Sequence, residues 1–439
     1  MEFTIEYHSL PIGVGSGGVV YLVRTFARQS LAEANSMDIG PQTNWSPRDD
    51  IIPRVLMVSM LFAPEDFGGA PIQALYLAKA LGRKGIHVEF LTDNGVRPSV
   101  QEIYEGVTVT RAKTFCAKPL SKLREVVFTI RILGFVVRRP DLQILHFHSI
   151  RGMESFLFPF FRVIGRKVLL KLTLAESDDP LTFRKRRLLG WAYFFCLTKV
   201  HRIVAISRRL KDLSREAGLP DKIVRLIFNG VNVDIFSPVS GRDKTEIRRR
   251  LEIEVSDVLL LSIGKIEHRK GYDLLLRAYE RILDSIPNAA LLILGPGNNE
   301  SNEYYRNLQA FISERNLPRV RFLGKRTNVD DYLKASDCFV FCSRLEGFGT
   351  VLIEAMACGI PTVAMDIPGI SADIITDDRI GQISANCTAE DFSSAVIALL
   401  GRVGRDEVLK AAADIRLRFS IDRIANQYIE IYQEIVSAP

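Results

Sequence analysis

The sequence predicts an α/β protein built of two doubly wound domains, and three observations carry that prediction. The chain has 439 residues, more than one ordinary core accommodates and enough for two domains that each bury most of their apolar surface. Apolar runs of strand length alternate with stretches of helical period, the pattern of a parallel sheet covered on both faces. That alternation stops at NVDIFSPVSGRD, residues 232–243, and then begins again. Turn residues without an apolar period mark a linker. The expected organisation is an extension over 1–50, an N-terminal domain over 51–231, the linker over 232–243, a C-terminal domain over 244–415 and a final helix over 416–439 packing back on the N-terminal domain.

In the first domain RVLMVSMLF, from Arg54, reads as a buried strand, APEDFGGAP as a loop, IQALYLAKALGRKG as a helix and HVEFLT as the next strand. Further strands are expected in LQILHFH (142–148), KVLLKLTL (167–174), HRIVAIS (201–207) and KIVRLIFNGV (222–231). The second domain restarts with the strand VLLLSIGKI and the helix DLLLRAYERIL. It continues through the strands AALLILGPG, RVRFLGK, CFVFCS and PTVAMD to a helical tail.

Charge is divided unevenly. Residues 51–220 hold 28 Lys+Arg against 14 Asp+Glu, 1–50 hold 3 against 6, and 221–439 hold 27 against 31. A basic domain suits nucleic acid, anionic lipid or an acidic substrate, and charge alone does not choose among them. No groove-reading motif accompanies it, so no nucleic-acid partner is expected. No stretch reaches the roughly 18 uncharged apolar residues of a membrane span, since Arg131 cuts VVFTIRILGFVV. The N-terminus has no basic start followed by an apolar run, so no secretory signal is expected. Six cysteines without a C-x-x-C pair fit reduced thiols of a cytoplasmic protein. Near the start, Gly13, Gly15 and Gly18 have dinucleotide-binding spacing. The next strand follows only about forty residues later, behind a Pro-bearing loop and with no carboxylate at its end, so the match is read as part of an extension and no dinucleotide is expected.

The segment richest in chemistry is SRLEGFGTVLIEAMACGIP, residues 343–361. Glu346 and Glu354 bracket seven residues, with Gly347 and Gly349 between them ahead of an apolar helix. Glycines there let backbone N–H groups at a helix N-terminus approach a pyrophosphate, and the helix dipole favours its charge. The two carboxylates then meet one ligand at different heights, where the hydroxyls of a sugar nucleotide supply the donors. The same pattern is also that of a capped helix with a solvated Glu at each end.

Taken whole, the segment resembles the E-x7-E signature of the retaining family 4 glycosyltransferases of GT-B fold, two Rossmann-like domains facing each other across a cleft. The resemblance covers about residues 54–435 and is carried in order by FGGAP, LHFHS, VAISRRL, FNGVNVDIFSP, SIGKIEHRKGYDLLLRAY, LLILGPG, RFLGKRTNVDDYLKASDCFVFCSRLEGFG and EAMACGIPTVA. It implies that Glu346 and His148 stand at the reacting sugar, with Gly347 and Phe348 on the donor sugar. Lys265, Lys270, Gly69, Gly349 and Thr350 then surround the diphosphate. Glu354 would bind the ribose, and Arg326 and Thr327 the base. Lys265 stands where the family usually has Arg, which keeps the charge and loses the bidentate fork. Thr173, Leu174 and Ala175 stand where the family often has Thr-x-His. No D-x-D triplet occurs, so Lys265, Lys270 and backbone amides are expected to meet the diphosphate charge, with no catalytic metal and no cofactor beyond the nucleotide-sugar donor.

FRKRRLLGWAYFF, residues 183–195, sets Arg184, Lys185, Arg186 and Arg187 before Trp191 and further aromatics. Basic residues beside an aromatic face read as an interfacial segment on anionic lipid, and FLFPFF (156–161) adds a second apolar contact. A core-facing helix with a solvated basic end has the same pattern. The expected protein is a cytoplasmic glycosyltransferase, peripheral on the inner face of the membrane, that moves a sugar from a nucleoside diphosphate to a lipid-linked or glycan acceptor. A sugar-nucleotide epimerase on the same fold is the alternative, and no acid/base set for it is assignable.

Overall fold

The computed structural model describes residues 53–64, 68–114, 121–150, 152–186, 189–384 and 386–438. The extension with Gly13, Gly15 and Gly18 lies outside them. The first sheet is built from β1 (Arg54–Val58), β2 (His87–Asp93), β3 (Val100–Tyr104), β4 (Val107–Ala112), β5 (Ile144–His148), β6 (Lys167–Leu172), β7 (Arg202–Ala205) and β8 (Val224–Leu226). Its helices are α1 (Gly69–Arg83), α2 (Ser121–Val137), α3 (Phe158–Val163), α4 (Pro180–Arg184), α5 (Gly190–Leu197) and α6 (Arg208–Glu216). The second sheet holds β9 (Val258–Ile263), β10 (Ala289–Leu294), β11 (Val320–Gly324), β12 (Cys338–Phe341), β13 (Thr362–Met365) and β14 (Gly381–Ser384). With it go α7 (Gly241–Arg250), α8 (Tyr272–Ser285), α9 (Glu303–Glu314), α10 (Val329–Ala335), α11 (Thr350–Ala357), α12 (Ser371–Ile374), α13 (Ala389–Arg402) and α14 (Arg405–Phe419), followed by α15 (Ile421–Ser437).

Strand order is β3-β4-β2-β1-β5-β6-β7-β8 in the first sheet and β11-β10-β9-β12-β13-β14 in the second. All pairs are parallel except β3 with β4. Every residue of β10 and β12 is buried, as a parallel sheet under helices on both faces requires. In a doubly wound sheet ligands bind beyond the carboxyl ends of the strands where the order reverses. Those points are β1/β5 in the first sheet and β9/β12 in the second, so His148 and the loops after β9 and β12 lie at them.

Tertiary context changes several of the expected elements. The β3–β4 hairpin has no buried run to announce it, because β3 is an edge strand with mostly exposed residues. VVFTIRILGFVV forms part of α2, which buries Phe128, Ile132 and Val136 on one face and leaves Ile130 and Val137 exposed. The strand expected over 222–231 is only Val224–Leu226, because the chain leaves the sheet and crosses towards the second domain. The linker ends earlier than 243: Ser240 caps α7, accepting from the Asp243 N–H at 3.2 Å. The return crossing falls at Ser420, not at 416, since α14 runs through Phe419. Ser420 bridges Val231 and caps α15 through the Arg423 N–H at 3.3 Å.

After that crossing α15 lies on the first domain. Tyr432 Oη is 2.8 Å from His146 Nδ1, Arg83 donates to Asp422 at 2.9 Å, and Lys167 Nζ donates to the Ala438 carbonyl at 2.6 Å. Gln73 of α1 fastens the outgoing crossover from inside. Its Nε2 donates to the Gly230 carbonyl at 2.8 Å and its Oε1 accepts from the Gly230 N–H at 3.1 Å. With Gln73 1% exposed, truncation strands two buried backbone groups. Gln73→Ala should therefore lower stability by about 1–3 kcal/mol, read as a lower urea midpoint at unchanged slope.

Candidate active site

The loop after β9 carries Lys265 and then a short 3-10 turn, His268–Lys270, before α8. The loop after β12 carries Ser343 to Phe348 and ends at Gly349, the N-cap of α11. Gly349 has φ 83°, a left-handed conformation that a side chain disfavours. No side chain caps α11, so its first N–H groups remain available to an anion.

Glu346 joins the two loops. Its Oε1 accepts from Ser343 Oγ at 2.6 Å and from Lys270 Nζ, and Arg269 Nη1 is 3.5 Å from its Oε2. Burial pushes this carboxyl up, but the charges of Lys270 and Arg269 and the hydrogen bonds outweigh it and hold Glu346 below the usual carboxylate range. Glu354 behaves oppositely. Burial alone pushes it up to about 8, so it is held mostly as the neutral acid at pH 7. Each glutamate is 8% exposed, which overturns the reading of solvated helix ends.

The other expected residues are distributed around this pair. Lys265 is exposed and pairs with Glu267 at 3.3 Å, and does not reach Glu346. Thr350 Oγ1 accepts from Asn229 Nδ2 at 3.1 Å, a contact between the domains. Phe348 is buried and packs on Phe228 at 5.4 Å and Phe419 at 6.0 Å. Arg326 and Thr327 are exposed between β11 and α10. Gly69 opens α1 with free space around it. His148 ends β5 buried, its ring 4.1 Å from His146 and 6.1 Å from Phe90. Burial, with the His146 and Lys171 charges, holds it well below its usual pKa, so it is neutral, and its Nε2 has no partner. Among the described residues no group of His, Cys, Asp and Glu is arranged to hold a metal ion.

Four residues at the site were not read from the sequence. Arg269 and Ser343 flank recognised positions and could have been found from them. Asn229 and Tyr76 come from the first domain; Asn229 lies within FNGVNVDIFSP and could have been found from it, whereas Tyr76 carries no sequence signal of its own. Burial and the Glu354, Glu105 and Asp330 carboxylates push the Tyr76 hydroxyl up to about 12.

The basic segment has a mixed character. Arg184 donates to the Ala217 carbonyl and lies over the Phe194 ring at 5.1 Å. Arg186 lies over Phe183 at 4.3 Å. Arg187 falls outside the described residues. Lys185 is exposed, and α5 buries Tyr193 and Leu197 while leaving Trp191 76% and Phe195 51% exposed.

Comparison with known proteins agrees with this geometry. The family described as Glycosyltransferase Family 4 matches residues 67–235, and the one described as Glycosyl transferases group 1 matches 243–415. The chain belongs to the family 4 glycosyltransferases. It is similar to the N-acetyl-alpha-D-glucosaminyl L-malate synthase of Bacillus anthracis, 26% identical over 84% of this chain and 94% of that one. Another relative is the lipopolysaccharide core biosynthesis mannosyltransferase LpsB of Rhizobium meliloti, 27% identical over 57% and 70%. Anabaena HepE in complex with UDP and glucose shares the fold, with TM-score 0.69 at 16% identity over 87% of this chain and 99% of that one. The glycosyltransferase therefore has the GT-B fold.

Glu354 yields a pH signature. An acid whose folded pKa lies above its unfolded value contributes stability fully present below the unfolded pKa and lost as pH rises through the folded one. For Glu354 that window runs from 4.5 up to about 8. Glu354→Gln should match the native chain in thermal midpoint near pH 4.5 and exceed it by several degrees at pH 8.

Proposed function

We propose that this glycosyltransferase moves a sugar from a nucleoside diphosphate donor, with retention at the anomeric carbon, to a lipid-linked or glycoconjugate acceptor. The observation that carries the reading is Glu346, buried and ionised against Lys270 and Arg269 beside the uncapped start of α11. In the proposed complex the diphosphate lies over the α11 amides, within reach of Lys265, Lys270 and Arg269, and Glu346 accepts from sugar hydroxyls. The neutral Glu354 can both donate to and accept from the ribose hydroxyls, and the exposed Arg326 and Thr327 border the base. His148 offers an unpaired ring nitrogen near the sugar.

During transfer the bond between the anomeric carbon and the phosphate oxygen breaks as the acceptor oxygen attacks the same face. The acceptor proton passes to the departing phosphate. Charge grows on that phosphate, so preorganised cations and amides act mainly in the transition state. Epimerisation would need an acid and base on opposite faces of one sugar carbon, and Glu346 is already committed to two cations. A panel of UDP-, GDP- and ADP-sugars, read by nucleotide release, tests the class. With the donor it identifies, Glu346→Ala and Lys270→Ala should each lower turnover at least about a hundredfold at saturating donor while folding survives. Near-normal turnover in either variant sinks the assignment.

The acceptor half of the proposal rests on the first domain. No described helix is long and apolar enough to cross a membrane, so a lipid acceptor has to be met at a surface. Trp191 and Phe195 of α5 and Phe160 and Val163 of α3 are exposed. Arg162 of α3 donates to the carbonyl of Lys199, two residues past the end of α5, at 3.3 Å. Lys199, 4.5 Å from the Phe195 ring, and the exposed Lys185 supply cation charge on this domain, each contributing about 1 kcal/mol near an anionic surface. Arg184 and Arg186 are engaged in packing, so the informative variants spare them. Co-sedimentation with phosphatidylglycerol vesicles should fall with added salt and drop sharply in Trp191→Ala/Phe195→Ser. Equal sedimentation of variant and native protein returns the acceptor to soluble glycans.

A further inference from the structure

The loop after β6 departs from the family's Thr-x-His pattern at Ala175, and the structure supplies a reason for the loop's shape. Asp178 is 1% exposed. Its Oδ1 accepts from the Thr173 and Leu174 N–H groups at 3.1 and 2.8 Å, and its Oδ2 from the Thr173 N–H at 2.9 Å and Thr173 Oγ1 at 2.8 Å. Ser149, the residue after His148, is held beside β6 by its N–H, which donates to the Lys171 carbonyl at 3.0 Å. The Asp178 N–H closes the turn on the Leu174 carbonyl at 3.2 Å. One carboxylate thus shapes the loop after β6 at the ligand edge of the first sheet, next to the end of β5.

Those bonds fix which way the backbone of 173–174 faces. With both amides turned to Asp178, the Thr173 carbonyl is presented to the other domain, where it meets Gly347. A Cβ built on Gly347 would lie 1.8 Å from the Thr173 oxygen and 2.7 Å from its carbonyl carbon. The two loops therefore touch backbone to backbone, and only glycine fits at 347. Glu346 is the next residue. We propose that Asp178 is a positioning residue for transfer, which holds the acceptor-side loop 173–174 against the Glu346 loop and so sets the register in which the two domains enclose the sugar. The proposal rests on the sugar being bound at Glu346. It replaces a side chain reaching in from this loop with a backbone contact, in keeping with Ala175 at the departing position.

Asp178→Asn keeps the size and puts an amide NH2 against donors that need an acceptor. A purely structural role would lower folding and nucleotide binding together. The positioning role separates them, because the nucleotide is held by the second domain. Turnover of the panel's best donor should fall at least about tenfold in Asp178→Asn, while the Kd for UDP, GDP or ADP measured by calorimetry stays within about twofold. Gly347→Ala leaves Asp178 intact and forces the loops apart, and should show the same split even if Asp178→Asn does not fold. The double variant should be little worse than the poorer single one, since both act on one contact. Native turnover in either single variant, a parallel loss of nucleotide affinity, or independent multiplying effects overturns the proposal. Glu346→Gln separates it from the site assignment: if that variant stays active the sugar site is misplaced, whereas an inactive Glu346→Gln beside an active Asp178→Asn removes the positioning role alone.

Discussion

A carboxylate that is both buried and ionised must be paired, and Glu346 imposes that constraint on everything around it. Removing one partner from such a group costs about 3–5 kcal/mol, so the loop bearing Lys270 and Arg269 and the loop bearing Ser343 are bound to stay together. They follow β9 and β12, the neighbouring strands at which the order of the second sheet reverses. A second brace lies behind them, where Arg344 donates to both oxygens of Asp273 at 2.8 and 2.7 Å. The crevice is thus organised before any donor arrives, which is the condition for electrostatic stabilisation without reorganisation.

The two glutamates of the signature show how environment divides one residue type between two roles. Both are buried in the same helix-loop unit, yet Glu346 is ionised by its cations and Glu354 is kept neutral by burial without one. A buried acid of this kind costs stability whenever it ionises, the usual trade between a binding site and the fold that carries it. The same burial acts on the cysteines: Cys338, Cys342 and Cys358 are buried free thiols whose pKa it likewise raises.

The donor loop is also joined to the path between the domains. Phe348 stacks with Phe228 on the outgoing crossover and meets Phe419 on the returning one at a tilt, and those two rings stand 5.7 Å apart. Val231 and Ser420 bridge beside them. Any change in the angle between the domains has to pass through residues that touch the loop carrying Glu346 and Phe348. The contacts of Asn229 with Thr350 and of Thr173 with Gly347 lie on the same seam.

Patterns that repeat locally were legible in the sequence. Buried strands such as AALLILGPG, the helix following the glycines, the spacing of Glu346 and Glu354, and the family they belong to all follow from order along the chain. Position relative to a distant segment was not legible. The edge strand β3, the shortening of β8, the return at Ser420 and the engagement of Arg184 and Arg186 depend on contacts with segments the local pattern does not contain. The same holds within the site. Order along the chain marked Glu346, Glu354, Lys265 and Lys270 as candidate site residues through the family resemblance, because residue type and spacing fix charge and local geometry. Only the tertiary structure decided which carboxylate is ionised, and that Asp178 and Gly347 face each other across the seam, because burial and pairing are properties of the assembled surroundings.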